Sequence, residues 1–320
     1  MIPVLFCVML LIFTLQFITP GDPARLHLGD EATEEELYEW REANGLNDPF
    51  ATQFRKYFWG IITRGDFGLS WSNGQPISSQ ILGRWPTTCL LAILTTTTSV
   101  VIGMLLGIFA ANRRGTFWDS CARVLGILGI SMPNFWFALM MILLFAVRLK
   151  WLPVSGFYGP KYWVLPALTL GILGAAGHMR VTRSAMLDNL NADFVRTARA
   201  KGQSEKVITY HHVLRNALIP IITNIGGQFA RDLSGTMILE QIFAIPGIGS
   251  LMVAAINKRD FPQLRASVIL VAATVSVVNL LVDIAYAAVD PRVKARFKNT
   301  GAILPKLKGR KKSRKEGVSL

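Results

Sequence analysis

The chain has 320 residues, 51% of them hydrophobic, and a formal net charge of +14. Its apolar residues come in long uncharged runs, not in the short periodic pattern of a water-soluble core, which excludes an ordinary soluble domain and points to an integral membrane protein. Three cysteines, Cys7, Cys89 and Cys121, lie within or beside these runs and offer neither a disulfide framework nor a metal-ligand spacing.

The first run covers residues 1–19. No basic region precedes it and prolines crowd the segment ITPGDPA behind it, so it reads as a retained span and not as a cleaved secretory signal. Further runs occupy 85–112, 124–147, 162–177, 216–230 and 266–282. A spanning helix needs about 20 apolar residues. The fourth run reaches that length by continuing past His178 with Arg180 snorkelling to the interface. The fifth reaches it by carrying Arg231 and Asp232 inside the helix as far as Leu239. The expectation is an all-α polytopic membrane protein with six transmembrane helices.

Orientation follows from the bias of Lys and Arg in the loops. With the N terminus inside, segments 111–123, 178–215 and 290–320 are also inside and hold 21 of the 34 basic residues. The outer loop 20–84 has 10 acidic residues against 6 basic ones. Both termini are thus expected on the cytoplasmic side, and the basic tail 291–320 reads as a segment near anionic lipid, not as a nucleic-acid arm.

Taken in order, the outer loop 20–84 is too long for a simple connection. GDEATEEELYEWREANGL has Leu37, Trp40 and Asn44 at helical steps with Gly45 as a stop. DPFATQFRKYFWGIITRG places Phe50, Phe54, Tyr57, Phe58 and Ile61 on one face of a second amphipathic helix ending near Gly65. The loop is either an extracytoplasmic subdomain or a cap on the membrane surface. In the third run Pro133 of GISMPNFWF is expected to kink or break the span, with the kink facing the bundle. WLPVSGFYGPKYW reads as an outer loop with aromatic interface anchors. After the fifth span, FAIPGIGS forms a Pro/Gly turn, followed by a short helix in SLMVAAINKRD.

The segment 188–216 departs from its surroundings. NADFVRTARAKGQSEKVITYHHVLRNALIP is basic and polar between two apolar runs, with helical spacing. Asp193 or Asn191 suits an N-cap, Gly202 a C′ stop, and Ser204 a second cap, with Pro220 at the start of the next span. Ala198 and Gly202, four apart, make one side small enough for another surface to approach. The plainer alternative is a loop that only packs on its own bundle.

An ionised side chain at the bilayer centre costs about 2.5–3.5 kcal/mol on insertion scales. Arg231, Asp232, Glu240 and Asp283 are therefore candidates for a polar path, or for buried pairs that set helix register. Gln228, four residues before Asp232, is placed to hydrogen-bond it. Arg231 needs a partner across the bundle, either Asp283 or a group on a partner subunit. No GxxxxGK[ST] loop, HExxH or GxSxG elbow occurs, and the four histidines, with His211 and His212 adjacent, do not form a metal site. Catalytic and metal residues are expected to be absent, and so is a nucleotide site.

In RTARAKG, residues 196–202, followed by Leu214–Arg215, the segment resembles the cytoplasmic loop of permease subunits of binding-protein-dependent ABC importers. PGDPA, GDFGLSW, RWPTT, SMPNFWFAL, WLPVSG, LPALTLG, RVTRSAML, RNALIPIIT, ILEQIFAIPGIG and DPRVKARF resemble the dipeptide/oligopeptide/nickel branch of that family, collinearly from Pro3 to about Arg296. Two departures are a nearly absent basic arm before the first span and a longer, more basic tail. The resemblance implies an ABC type I importer permease fold. Its divisions would be a first span (1–19), an extracytoplasmic loop subdomain (20–84), a five-helix core (85–290) carrying the coupling loop 188–216, and a basic tail. It implies that Arg196, Thr197, Ala198, Lys201, Gly202, Gln203 and Ser204 couple to an ATPase, and that Gln228, Arg231, Asp232, Glu240 and Asp283 border the solute path. It implies no cofactor in this chain, with ATP and Mg bound by two partner ATPase subunits. It also implies a second permease of different sequence, an extracytoplasmic substrate-binding protein and a multi-pass place in a prokaryotic inner membrane. The solute would be a short peptide, or else a nickel complex, glutathione or another small molecule. An intramembrane enzyme or a scaffold without transport is the alternative class.

Overall fold

A computed structural model describes residues 2–289; the tail from 290 onward lies outside the described residues. Every apolar run named above lies in a helix or in one bent helix pair. The first run is α1 (Ile2–Ile18) and the second is the long α5 (Ile77–Asn112), whose helix starts inside the outer loop. The third is α6 (Phe117–Ser131) followed by α7 (Asn134–Met141), which continues as a π-helical stretch Ile142–Arg148. The fourth is α8 (Pro160–Leu190). α5, α8 and the last helix are each long and apolar enough to cross a membrane, and α6 with α7 qualifies as one span bent by 105°.

That bend has a local cause. Pro133 has no N–H to give the preceding turn and disfavours helical geometry at Met132, which is extended at φ −77°, ψ 131°. Pro133 is exposed and does not face the packed interior; Asn134 beside it borders a cavity.

Between α1 and α5 the outer loop folds into α2 (Pro23–Leu28), α3 (Glu34–Ala43) and α4 (Phe50–Arg64). Thr33 and Glu36 form a reciprocal capping box on α3, and Gly65 ends α4 in the left-handed region. The short α2 is an addition to the sequence reading, capped by Asp22, whose side chain accepts from the Ala24 N–H at 3.1 Å. The apolar face of α4 lies antiparallel along α1: Phe50 meets Phe17 at 5.0 Å between ring centroids, and Phe54 and Phe58 each meet Phe6 at 5.9 Å. Such edge-to-face pairs add to the burial of large rings. The helix is therefore joined to the first span. Asp260 ties the loop's far end to the bundle, accepting from Ser70 Oγ and from the Trp71, Ser72 and Gln263 N–H groups.

The tightest helix pair is α5 with α8. A Cβ added at Gly103 would stand 2.7 Å from the Ala175 carbonyl, and one at Gly107 2.8 Å from that of Met179. Only glycine lets the two backbones approach this closely, the usual device of helix association in lipid. The segment after α8 holds α9 (Asp193–Ala200) and α10 (Glu205–Val207), which runs through a π-helical stretch Ile208–Val213 into α11 (Leu214–Gly235). The chain ends in α12 (Met237–Ile242), α13 (Ile248–Asn257) and α14 (Phe261–Val289). Pro220 lies inside α11 and not at a span's start, because the helix has already been running since Glu205.

Candidate functional site

Two places carry the residues singled out above. The first is the helix–turn–helix at α9 and α10. Residue Ala192, not Asp193 or Asn191, occupies the N-cap of α9, and no side chain caps it; Asn191 closes α8 instead. Gly202 follows the helix at φ +76°, a conformation that costs other residues a steric penalty. Ser204 stands extended at the next N-cap without a side-chain cap bond. Other side chains brace the turn. Arg199 donates to both carboxylate oxygens of Glu205, at 2.7 and 3.2 Å, and Gln203 Oε1 lies 2.7 Å from His212 Nε2. The Arg199 guanidinium holds the Glu205 carboxyl below its ordinary value.

Val195, Ala198, Ile208 and Val213 root this hairpin in a buried cluster with Ile108, Met186 and Ile221. Ala198 is thus turned into the chain's own core, which corrects its expected place on a contact side. The outward face presents Arg196, Thr197, Lys201, Gly202, Gln203 and Ser204, together with Phe194, Val207 and Tyr210. The last three had not been singled out. Helical period did not mark Phe194, which lies four residues before the inward Ala198 and so at the flank of the buried face, yet is exposed.

The second place is a cavity of about 420 Å³ between the α6–α7 bend, α8 and α11, lined by Gly129, Asn134, Gly177, Arg180, Gln228, Arg231 and Asp232 among others. Gln228 Nε2 donates to Asp232 Oδ1 at 2.6 Å, the bond that their four-residue spacing allows. Thr96 Oγ1 donates to Asp232 Oδ2 at 2.7 Å, with Thr95 Oγ1 at 3.4 Å. Arg231 donates to Gln228 Oε1 at 2.9 Å, which replaces the expected reach to Asp283. Asp283 is exposed on α14. The two threonines come from α5, far away in sequence, and nothing local marked them.

Glu240 is placed apart, fully buried where α12 meets α13. It accepts from Thr88 Oγ1 at 2.9 Å, Thr236 Oγ1 at 3.1 Å and the Ser250 N–H at 2.9 Å, while Thr88 Oγ1 accepts from the Ile248 N–H at 2.8 Å. Its carboxylate thereby organises the turn of EQIFAIPGIGS and borders none of the described cavities. His211 and His212 stack edge-on at 5.2 Å beside the hairpin. No three His, Cys, Asp or Glu side chains converge on a metal-sized site among the described residues.

Comparisons place this geometry among known proteins. The family described as "Binding-protein-dependent transport system inner membrane component" matches residues 103–295, and "Binding-prot-dependent transport system membrane comp, N-term" matches 1–92. The chain is 39% identical over 294 residues to the glutathione transport system permease protein GsiC of Escherichia coli (strain K12), covering 92% of this chain and 96% of that protein. It is equally similar to GsiC of Salmonella choleraesuis (strain SC-B67), at 39% over 294 residues and the same coverage. Among solved structures, the MetNI methionine ABC transporter in inward-facing conformations matches with a TM-score of 0.57 at 16% identity, over 66% of this chain and 97% of that one. An amino acid ABC transporter with histidines matches with a TM-score of 0.50 at 15% identity, over 67% and 94%. At such identities these two speak for the fold.

Proposed function

The chain belongs to the binding-protein-dependent transport system inner membrane components, as a permease subunit of an ABC importer, and from that premise we propose what it carries and what it meets. It forms half of an alternating-access pathway for short peptides or a peptide-like solute such as glutathione, which the relatives' names bring into range. Its partner in the pore is a second permease of different sequence. Two ATPase subunits bind and hydrolyse ATP with Mg, and an extracytoplasmic binding protein delivers the solute to the outer loop. Both termini and the α9–α10 hairpin face the cytoplasm, where Arg196, Thr197 and Lys201 to Ser204 dock on the ATPase.

One observation carries the reading. The hairpin is exposed on one face and rooted on the other in the cluster that includes α5, α8 and α11, so a push on Thr197 or Gln203 reaches spanning helices through packed side chains. Gly202→Trp tests it. The change keeps Val195 and Ala198 in place, since nothing stands within 4 Å of a Cβ there, but strains the left-handed turn and alters the docking face. In the reconstituted importer, uptake should fall at least about tenfold while the chain still inserts. Undiminished uptake with normal ATPase recruitment would refute the coupling assignment.

A further inference from the structure

The cavity beside the α6–α7 bend has a charge imbalance. Asp232 is only 8% exposed, and its carboxylate is engaged by neutral donors: Gln228 and Thr96, with Thr95 behind. Gln228 in turn accepts from Arg231. The carboxylate thus acts as an anchor: it orients Gln228, and Gln228 holds Arg231 at the cavity wall. Arg180 lines the same space from α8. Among the described residues neither Arg180 nor Arg231 forms an ion pair within 4.0 Å. Two arginines therefore line an open space of about 420 Å³ whose one lining carboxylate, Asp232, is already engaged by amide and hydroxyl donors. The cavity wall is bare at Gly177, where an added Cβ would meet nothing within 4 Å.

Resting on the importer-permease reading, we propose that this cavity is a carboxylate-selective station on the solute path, favouring small solutes with two carboxylates over neutral or cationic ones. The planar fork of a guanidinium matches a carboxylate edge to edge. A cleft with an excess of one charge sign within low-dielectric walls concentrates the opposite ion. The volume lies in the range of small-molecule sites. Asp232 is a positioning residue here, not the site for a solute ammonium.

The first test needs no knowledge of the solute. Gly177→Cys, in the full chain assembled with its partner subunits in vesicles, is treated with two thiosulfonate reagents of similar size, one bearing a sulfonate and one a quaternary ammonium. Rates are read at position 177 by mass spectrometry and divided by each reagent's rate with a free thiol. The anionic reagent should react about tenfold faster, and Arg180→Gln with Arg231→Gln should abolish the preference. Equal rates, a cationic preference, or no labelling in the assembled importer would overturn the proposal.

The second test compares uptake of a tripeptide with two free carboxylates and of its monoamide. The delivering protein is the same throughout, so a change in the ratio of kcat/KM values belongs to the permease. Each arginine variant should lower that ratio about tenfold. Equal loss for both solutes would mark the arginines as structural or partner-pairing and sink the proposal. Absence of ATP-driven uptake for any solute would instead remove the permease reading, while the labelling result would still judge the cavity's charge preference.

Discussion

Asp232 and Glu240 are alike on paper, two carboxylates near the same apolar run, and their surroundings divide them. Asp232 sits at a cavity wall with amide and hydroxyl donors, whereas Glu240 spends its carboxylate on Thr88, Thr236 and the backbone of Ser250. A buried acceptor with three partners is costly to remove, because those donors remain buried and unpaired. Glu240→Ala should therefore lower the stability of the purified chain by about 3 kcal/mol, seen as a reduced Tm in detergent, with or without any solute. Unchanged melting would show that the turn does not depend on this carboxylate. The sequence marked both residues as costly charges, but only the donors around each, drawn from α5, α12 and α13, assign one to a cavity and the other to the framework.

The outer helices show which parts of an element are legible. α3 and α4 were readable from period and stop signals, Gly45 and Gly65 included, since those depend on neighbours three or four residues away. The placing of α4 along α1 was not, because the matching Phe6, Phe13 and Phe17 give only an apolar run when read alone. Asp22 links these pieces, capping α2 while holding Arg41 of α3 in a two-point ion pair. The Arg41 guanidinium is the main reason that the Asp22 carboxyl lies below its ordinary value of 3.8. A carboxyl lowered in the folded state adds stability that is fully present above its unfolded value and is lost as pH falls through the folded one. Lowering the pH below about 4 should thus loosen α2 from α3. The intrinsic fluorescence of Trp40 and Trp71, 5.4 Å apart and next to this link, should report it. In Asp22→Asn that acid transition should disappear; an identical transition would assign it to another group.

At the scale of the molecule, the distribution of Lys and Arg predicts an orientation, and the packing makes that orientation consequential. The positive-inside bias predicts the α9–α10 hairpin in the cytoplasm and the α2–α4 loop outside. A membrane-impermeant thiol reagent applied to right-side-out vesicles should label Gly29→Cys above the parent chain's background, but label Gln203→Cys only after permeabilisation. The reverse pattern would invert the topology and move the hairpin away from any cytoplasmic ATPase. Both positions are exposed, so labelling reports the side of the membrane and not burial.

The sequence by itself determined the membrane class, the positions of the apolar runs, the break at Pro133 and the glycine stop at Gly202, because these rest on composition, on helical period and on backbone rules that act over a few residues. The family came from the resemblance of motifs in collinear order. The tertiary structure decided that Ala198 faces inward, that Arg231 answers to Gln228 and not to Asp283, and that Thr95 and Thr96 complete the shell of Asp232. The shell of Asp232 joins residues more than a hundred positions apart, as with Thr96 and Asp232, and Arg231 turns to Gln228 three residues away on its own helix. Helix packing selects such partners by shape and hydrogen-bonding geometry, to which local pattern is blind.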